Sequence, residues 1–136
     1  MIVADTSGLL ALFNRREPTH AAVKGVVDAE PEPLLVSPYV VAELAYLVAT
    51  RLGVDAELAV LAEVAGGAFH LSGFGAEELQ RARGVVERYR DQDVGVTDAS
   101  IVVLADRFRT RSLLTLDHRN FGLLRPLDGG RFRLLP

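Results

Sequence analysis

Residues 1–13, MIVADTSGLLALF, decide the class of fold. Ile2, Val3 and Ala4 form a short apolar run of the kind that makes a buried strand. The run stops at Asp5, and Thr6 and Ser7 lead into a helical pattern over Gly8–Asn14. Two readings of Asp5 compete. Asp, Thr and Ser are favoured helix N-caps, so any of the three could simply hold the first turn. Alternatively, a carboxylate at the C-terminal end of a central strand points into the crevice where open α/β sheets do their chemistry. One residue does not decide between them; its partners do.

Outward from this stretch, extended and helical patterns alternate. Strands are predicted over Ile2–Ala4, Leu34–Val36, Ala68–Leu71, Ser112–Leu116 and Phe132–Leu135. Helices are predicted over Gly8–Asn14, Thr19–Ala29, Pro38–Leu52, Asp55–Ala65, Ala76–Arg90 and Asp98–Arg109. Ser37-Pro38 supplies a cap followed by proline at the first helical position. Gly53 marks a helix stop. Pro31-Glu32-Pro33, Gly66-Gly67 and Gly129-Gly130 read as turns. Strands that alternate with helices imply βαβ units, hence a mostly parallel sheet covered by helices on both faces. No repeat or linker divides the chain, so a single domain over 1–136 is expected.

The composition narrows the class of function. At 136 residues with 49% hydrophobic content the chain can bury a real core. A net charge of −3 argues against a protein held on nucleic acid by bulk positive charge. Lys24 is the sole lysine beside fourteen arginines, a bias that a GC-rich genome also produces. With no cysteine, disulfides and thiolate metal sites are excluded. The N-terminus lacks a basic region and carries an early acid, unlike a signal peptide, and no apolar run spans a bilayer. The expected compartment is the cytoplasm.

Three further acids stand out. Glu43 lies in SPYVVAELAYLVATRLG, where no other charge occurs between Ser37 and Arg51. A helix apolar nearly all round is expected to be buried, and Glu43 then needs a partner. The plainer reading puts it on a narrow exposed stripe beside Ala42 and Ala49. Asp98, in VGVTDASIVVLADRF, heads a helix with an apolar stripe of Ile101, Val102, Ala105 and Phe108, where a cap also explains it. Asp117 closes SLLTLDHRNFG, an apolar run ending in an acid as the first one does, with an Asx turn as the plain alternative. Strand ends and following helix starts meet at one edge of a parallel sheet. Two charges about 6 Å apart repel by about 3 kcal/mol at an effective dielectric of about 20, so such a cluster calls for protons or a divalent cation. An all-oxygen set suits Mg²⁺ or Mn²⁺ better than Zn²⁺, and a hard cation among acids serves phosphate chemistry.

Rival layouts with an Asp after the first strand fail on chemistry. A phosphoaspartate receiver needs a lysine near its fifth strand, and Lys24 is far from it. A haloacid-dehalogenase-type phosphatase needs a second Asp two residues after Asp5, where Ser7 stands.

In order and spacing, MIVADTSGLLALF, VSPYVVAELAYL, VGVTDASIVVLA and LLTLDHRNF closely resemble the four acidic motifs of the PIN domain. The whole chain resembles a VapC toxin of the VapBC toxin–antitoxin systems. The resemblance implies a three-layer α/β/α fold with a five-stranded sheet in the order 3-2-1-4-5. It also implies a Mg²⁺-dependent endoribonuclease, with Mn²⁺ as a substitute. Asp5, Glu43, Asp98 and Asp117 would be the catalytic and metal-binding acids, Asp5 and Asp98 as direct ligands. Thr6, Ser7 and Thr115 match small hydroxyl positions beside such a site. The implied partners are a VapB antitoxin, a structured RNA (tRNA or rRNA) and a second copy of the chain, with no membrane. A non-catalytic PIN-like module that binds RNA or protein is the alternative. Asp91 and Asp93 precede the third motif, where one of them could add negative potential to the site, although a solvated loop is the plainer reading. His118, beside Asp117, reads as a solvent-facing loop histidine outside the site. With a net charge of −3, attraction to RNA has to come from a local arrangement of arginines around the acidic pocket. Arg15, Arg16, Arg51, Arg119 and Arg125, near the motif segments, are the candidates.

Overall fold

The computed structural model describes residues 1–136. In chain order the elements are β1 (Val3–Ala4), α1 (Thr6–Phe13), α2 (His20–Ala29), β2 (Leu34–Val36), α3 (Pro38–Leu52), α4 (Val54–Ala65) and β3 (Phe69–Leu71). There follow α5 (Ala76–Arg88), α6 (Val96–Arg107), β4 (Ser112–Leu114), α7 (His118–Leu123) and β5 (Arg133–Leu135). All five strands pair in parallel, in the order β3-β2-β1-β4-β5. Val3 pairs with Leu35 on one side and Leu113 on the other, so β1 is central. The chain steps outward through β2 and β3, then returns to β4 on the far side of β1. That reversal between β1 and β4 makes the topological switch point, outside whose strand ends α/β sheets bind ligands. Because the chain crosses the sheet one way to β3 and the other way to β4, the right-handed rule for parallel crossovers assigns α1–α4 and α5–α6 to opposite faces.

The core is continuous over β1, β2, β4 and α6. Every residue of α6 from Ala99 to Ala105 is buried, so this helix is sealed all round. The expectation of a fully buried helix around Glu43 is corrected here. Only Val40, Leu44 and Val48 of α3 are buried, and Tyr46 is 69% exposed. α3 packs on α1, α4 and α6, and is tied to α6 at its N-cap by Ser37, yet leaves an apolar outer side with Tyr46 open to solvent.

Element boundaries moved where caps or closure were misjudged. α1 starts at Thr6 rather than Gly8, and α6 starts at Val96 behind Gly95, which places Asp98 inside the first turn rather than at the cap. β4 ends at Leu114, and α7, which periodicity did not predict, follows Asp117. One glycine is required by close approach: a Cβ on Gly8 would lie 2.5 Å from the Leu114 carbonyl oxygen. The first turn of α1 therefore rests directly on the end of β4.

Candidate active site

Asp5 stands at the N-cap position of α1 but makes no capping hydrogen bond. Its carboxylate turns inward instead and is only 5% exposed. Oδ2 accepts hydrogen bonds from Ser7 Oγ at 2.6 Å and from Thr115 Oγ1 at 2.9 Å. Those two hydroxyls are anchored in turn. Ser7 Oγ accepts from the Leu116 N–H, and Thr115 Oγ1 accepts from the Asp117 N–H. Burial pushes the Asp5 carboxyl up from its ordinary range, opposed by the Ser7 and Thr115 hydroxyls and by the Thr6 and Ser7 amides. The close seat of α1 on β4 brings these groups together across a separation of more than a hundred residues.

Thr6 faces the other way and donates to Glu43 Oε2 at 2.7 Å. Consecutive hydroxyls thus serve two acids: Ser7 holds Asp5, and Thr6 reaches across to α3 for Glu43. Glu43 itself is exposed. The start of α3 is tied to that of α6 by a buried contact, Ser37 Oγ to Ser100 Oγ at 2.7 Å. Ser37 also caps α3 by accepting from the Tyr39 and Val40 N–H groups.

Asp98 is half-buried in the first turn of α6. Its carboxyl is pushed up to about 6, first by burial and then by the neighbouring charge of Asp5. Glu43 and Asp117 push the same way, and a hydrogen bond from the Asn120 side chain opposes them. The repulsion ties all four acids into one electrostatic unit. Asp117 is exposed and caps α7, with Oδ1 accepting from the Asn120 N–H at 3.1 Å. The Asx-type reading of Asp117 is therefore correct as far as it goes. None of the four acids forms an ion pair. No three His, Cys, Asp or Glu side chains are drawn together closely enough to form a ready coordination cage.

A cavity of about 560 Å³ opens at this edge, lined by Asp98, Asp117, Arg119 and Asn120 together with Asp91, Gln92 and Asp93. Asp91 and Asp93, undecided in the sequence, thus face the acid cluster from the turn before α6. His118 is exposed and lines no part of the cavity. Of the candidate arginines, Arg119 lines it. Arg51 lies in a groove between α1, α3 and α4, and Arg125 donates to the Gly122, Leu123 and Leu124 carbonyls at the end of α7. Asn120 and the Ser37–Ser100 pair were not anticipated. Asn120 sits three residues after an Asp, the spacing at which a cap meets its N–H, and that was the available signal.

Two adjacent strand ends, two helix starts and a polar crevice at the switch point define the candidate site of an open α/β fold, and the family follows from comparison. The PIN domain model matches residues 2–124, and the chain belongs to the PIN-domain family. Within it the chain is 58% identical to Ribonuclease VapC26 of Mycobacterium tuberculosis, over 99% of its own length and all of that protein. Among solved structures it resembles M. tuberculosis VapC20, described as a sarcin–ricin loop cleaving toxin, at 21% identity. The TM-score is 0.79, covering 86% of this chain and 90% of that one. It also resembles the DNA-bound VapBC of Salmonella typhimurium, with a TM-score of 0.74, 16% identity and 98% of each chain covered. These remote structures share the fold. No helix is long and apolar enough to cross a membrane.

Proposed function

We propose that the chain is a metal-dependent endoribonuclease, the toxin of a VapBC pair, which cuts a phosphodiester bond in an exposed loop of tRNA or rRNA in the cytoplasm. The observation that carries this reading is the set of four carboxylates at the switch point, none of them ion-paired. Of these, Asp98 is raised to about 6 by burial first and by the charges of Asp5, Glu43 and Asp117 besides. The donors fit a hard divalent cation, Mg²⁺ or Mn²⁺. All are oxygens, none is neutralised by Lys or Arg, and their mutual repulsion is the penalty a cation would relieve. Asp5 and Asp98 would hold it directly, with Glu43 and Asp117 holding a second ion or orienting water. Such a cation supplies a Lewis acid that neutralises phosphoryl charge and lowers the pKa of water.

The chain's own residues keep this arrangement stiff. Ser7 and Thr115 fix the Asp5 carboxylate, and Thr6 restrains Glu43. Water attacks phosphorus in line with the 3′-oxygen, and the P–O3′ bond breaks to leave 5′-phosphate and 3′-hydroxyl ends. A loop presents a bent, accessible backbone that an A-form stem does not.

The likeness to VapBC complexes supports a VapB partner, and an apolar groove of about 290 Å³ lined by Leu10, Phe13, Val48, Leu52 and Val60 suits an amphipathic helix. A homodimer belongs to the same reading. The test is to incubate the full chain with total bacterial RNA in Mg²⁺ and map every new 5′ end. Discrete ends within one loop are expected, abolished by EDTA, restored by Mg²⁺ or Mn²⁺ and suppressed by co-purified antitoxin. Unchanged cleavage in excess chelator, or even cutting along messenger RNA, overturns the reading. Binding of RNA with no cleavage at all favours the non-catalytic module.

A further inference from the structure

We infer that Arg119 is the residue that grips the RNA backbone beside the scissile bond, holding one phosphate at the rim of the acidic cavity. This rests on the nuclease reading above. Arg119 lies in the first turn of α7, two residues after Asp117, and is the sole cation lining that cavity. Asp91, Asp93, Asp98 and Asp117 share the walls, yet the guanidinium makes no ion pair and no side-chain hydrogen bond. Arg81, Arg107 and Arg111 are drawn into pairs with Asp106, Glu78 and Asp128. Arg109, unpaired like Arg119, shares its cavity with Asp106 and Asp128, which those pairs already engage, whereas every acid beside Arg119 is free of a cation. An arginine surrounded by carboxylates but paired to none keeps its planar fork of donors available, and that fork matches two phosphate oxygens.

Electrostatics require such a group. A chain of net charge −3 offers RNA no general attraction, and the acid cluster repels a polyanion locally. One cation beside the acids supplies attraction at the place where a phosphate must arrive. Asp91 and Asp93 on the neighbouring wall restrict the grip to a single phosphate rather than a basic track.

The experiment compares wild type, Arg119→Gln, Arg119→Lys and, as a charge control at the opposite end of the sheet, Arg133→Gln, whose residue pairs with Ser112 at the start of β4. The substrate is a labelled RNA hairpin carrying the loop mapped in total RNA, or a ribosomal stem-loop if no loop emerges. Arg119→Gln should raise KM about tenfold with little change in kcat. The slope of log kcat/KM against log salt should become shallower by about 0.7, the loss of one single-strand phosphate contact. Arg119→Lys should recover the slope but only part of KM, because the charge returns without the fork. Arg133→Gln should match wild type, and melting temperatures should agree across the set. A wild-type KM and slope in Arg119→Gln overturns the inference. So does a fall in kcat alone, which would mean that Arg119 positions the acids. Equal effects in Arg133→Gln overturn it by reducing the effect to net charge. If the wild type cleaves no RNA, the nuclease reading is what fails, and the same variants are read by anisotropy. A weaker, less salt-sensitive complex in Arg119→Gln then still supports the grip, and equal binding or none in the wild type removes it.

Discussion

Asp5 and Asp117 follow neighbouring parallel strands, and each occupies the N-cap position of the next helix, yet they live in opposite environments. Asp5 is 5% exposed and leaves its helix uncapped, while Asp117 is exposed and caps the Asn120 N–H. The difference comes from their surroundings. Both strands are flanked on two sides, but Gly8 lets α1 settle onto the Leu114 carbonyl directly after β1, so Asp5 is enclosed where Ser7 and Thr115 can reach it. Asp117 comes three residues after β4 has ended and rises clear of that packing. The same local signature, an apolar run closed by an acid, therefore codes for a buried, hydroxyl-held carboxylate in one place and an open cap in the other. The burial of an acid is decided by what the rest of the chain brings to it.

The sharpest way to separate the two is to neutralise the buried acids. Asp5→Asn and Asp98→Asn should each reduce RNA cleavage on the order of a thousandfold or more, because the lost charge acts directly on the reacting phosphate and its cation. Metal-free stability should hold or rise, since each change removes a repelled, partly desolvated charge. Cleavage assays run beside thermal melts in EDTA check both halves. Retained activity in both variants would mean that these residues serve only the local backbone.

Asp117 should behave differently, and two substitutions at one site expose the difference. Asn caps as well as Asp, so Asp117→Asn should keep α7 intact and stability unchanged, while cleavage falls about ten- to a hundredfold. Asp117→Ala should show the same loss of cleavage and cost about 1 kcal/mol of stability besides. Full activity in Asp117→Asn would reduce Asp117 to a cap, and denaturant midpoints measured with the cleavage rates decide it.

How much of this was legible in advance follows the range of the interactions involved. Periodicity and caps located the strands, six of the seven helices and the four acids, because those signals are local. The strand order came through the family resemblance, since pairing partners leave no mark in a single strand. The surroundings of Glu43 were misread because an apolar helix face reads the same whether another helix covers it or solvent does, and Tyr46 lies in solvent. α7 escaped because six residues with only Phe121 buried carry too little periodicity. With it escaped Asn120, whereas Asp91 and Asp93 were legible as neighbours of the third motif but not as a wall of the same cavity, which only the fold makes.

The smallest expected effect concerns pH, and it tests whether Asp98 belongs with the enclosed acid or the open one. With its folded value near 6 and an unfolded value of about 3.9, Asp98 binds a proton in the folded protein across a window where the unfolded chain has released it. Unfolding free energy from this group therefore falls as pH rises from about 4 to about 6, then levels off once both states are ionised. Asp5, also raised, tilts the curve in the same direction. Glu78 opposes them, because backbone amides of Glu78 and Gly75 lower its carboxyl, and that contribution is lost as pH falls. The useful quantity is thus the difference between wild type and Asp98→Asn, which cancels Glu78 and every other bystander. Discounted for its access to solvent, Asp98 should contribute on the order of 1 kcal/mol to that difference. In EDTA this means a melting temperature for wild type, relative to Asp98→Asn, that drops by about 3–5 °C between pH 4.5 and 7. Saturating Mg²⁺ at pH 7 should recover the drop in wild type and leave the variant unmoved, because a cation that binds only the folded state stabilises it through the carboxylate it binds. Parallel melting curves for the two proteins across the window would show that Asp98 titrates as an ordinary surface acid, and the electrostatic unit with Asp5 would dissolve.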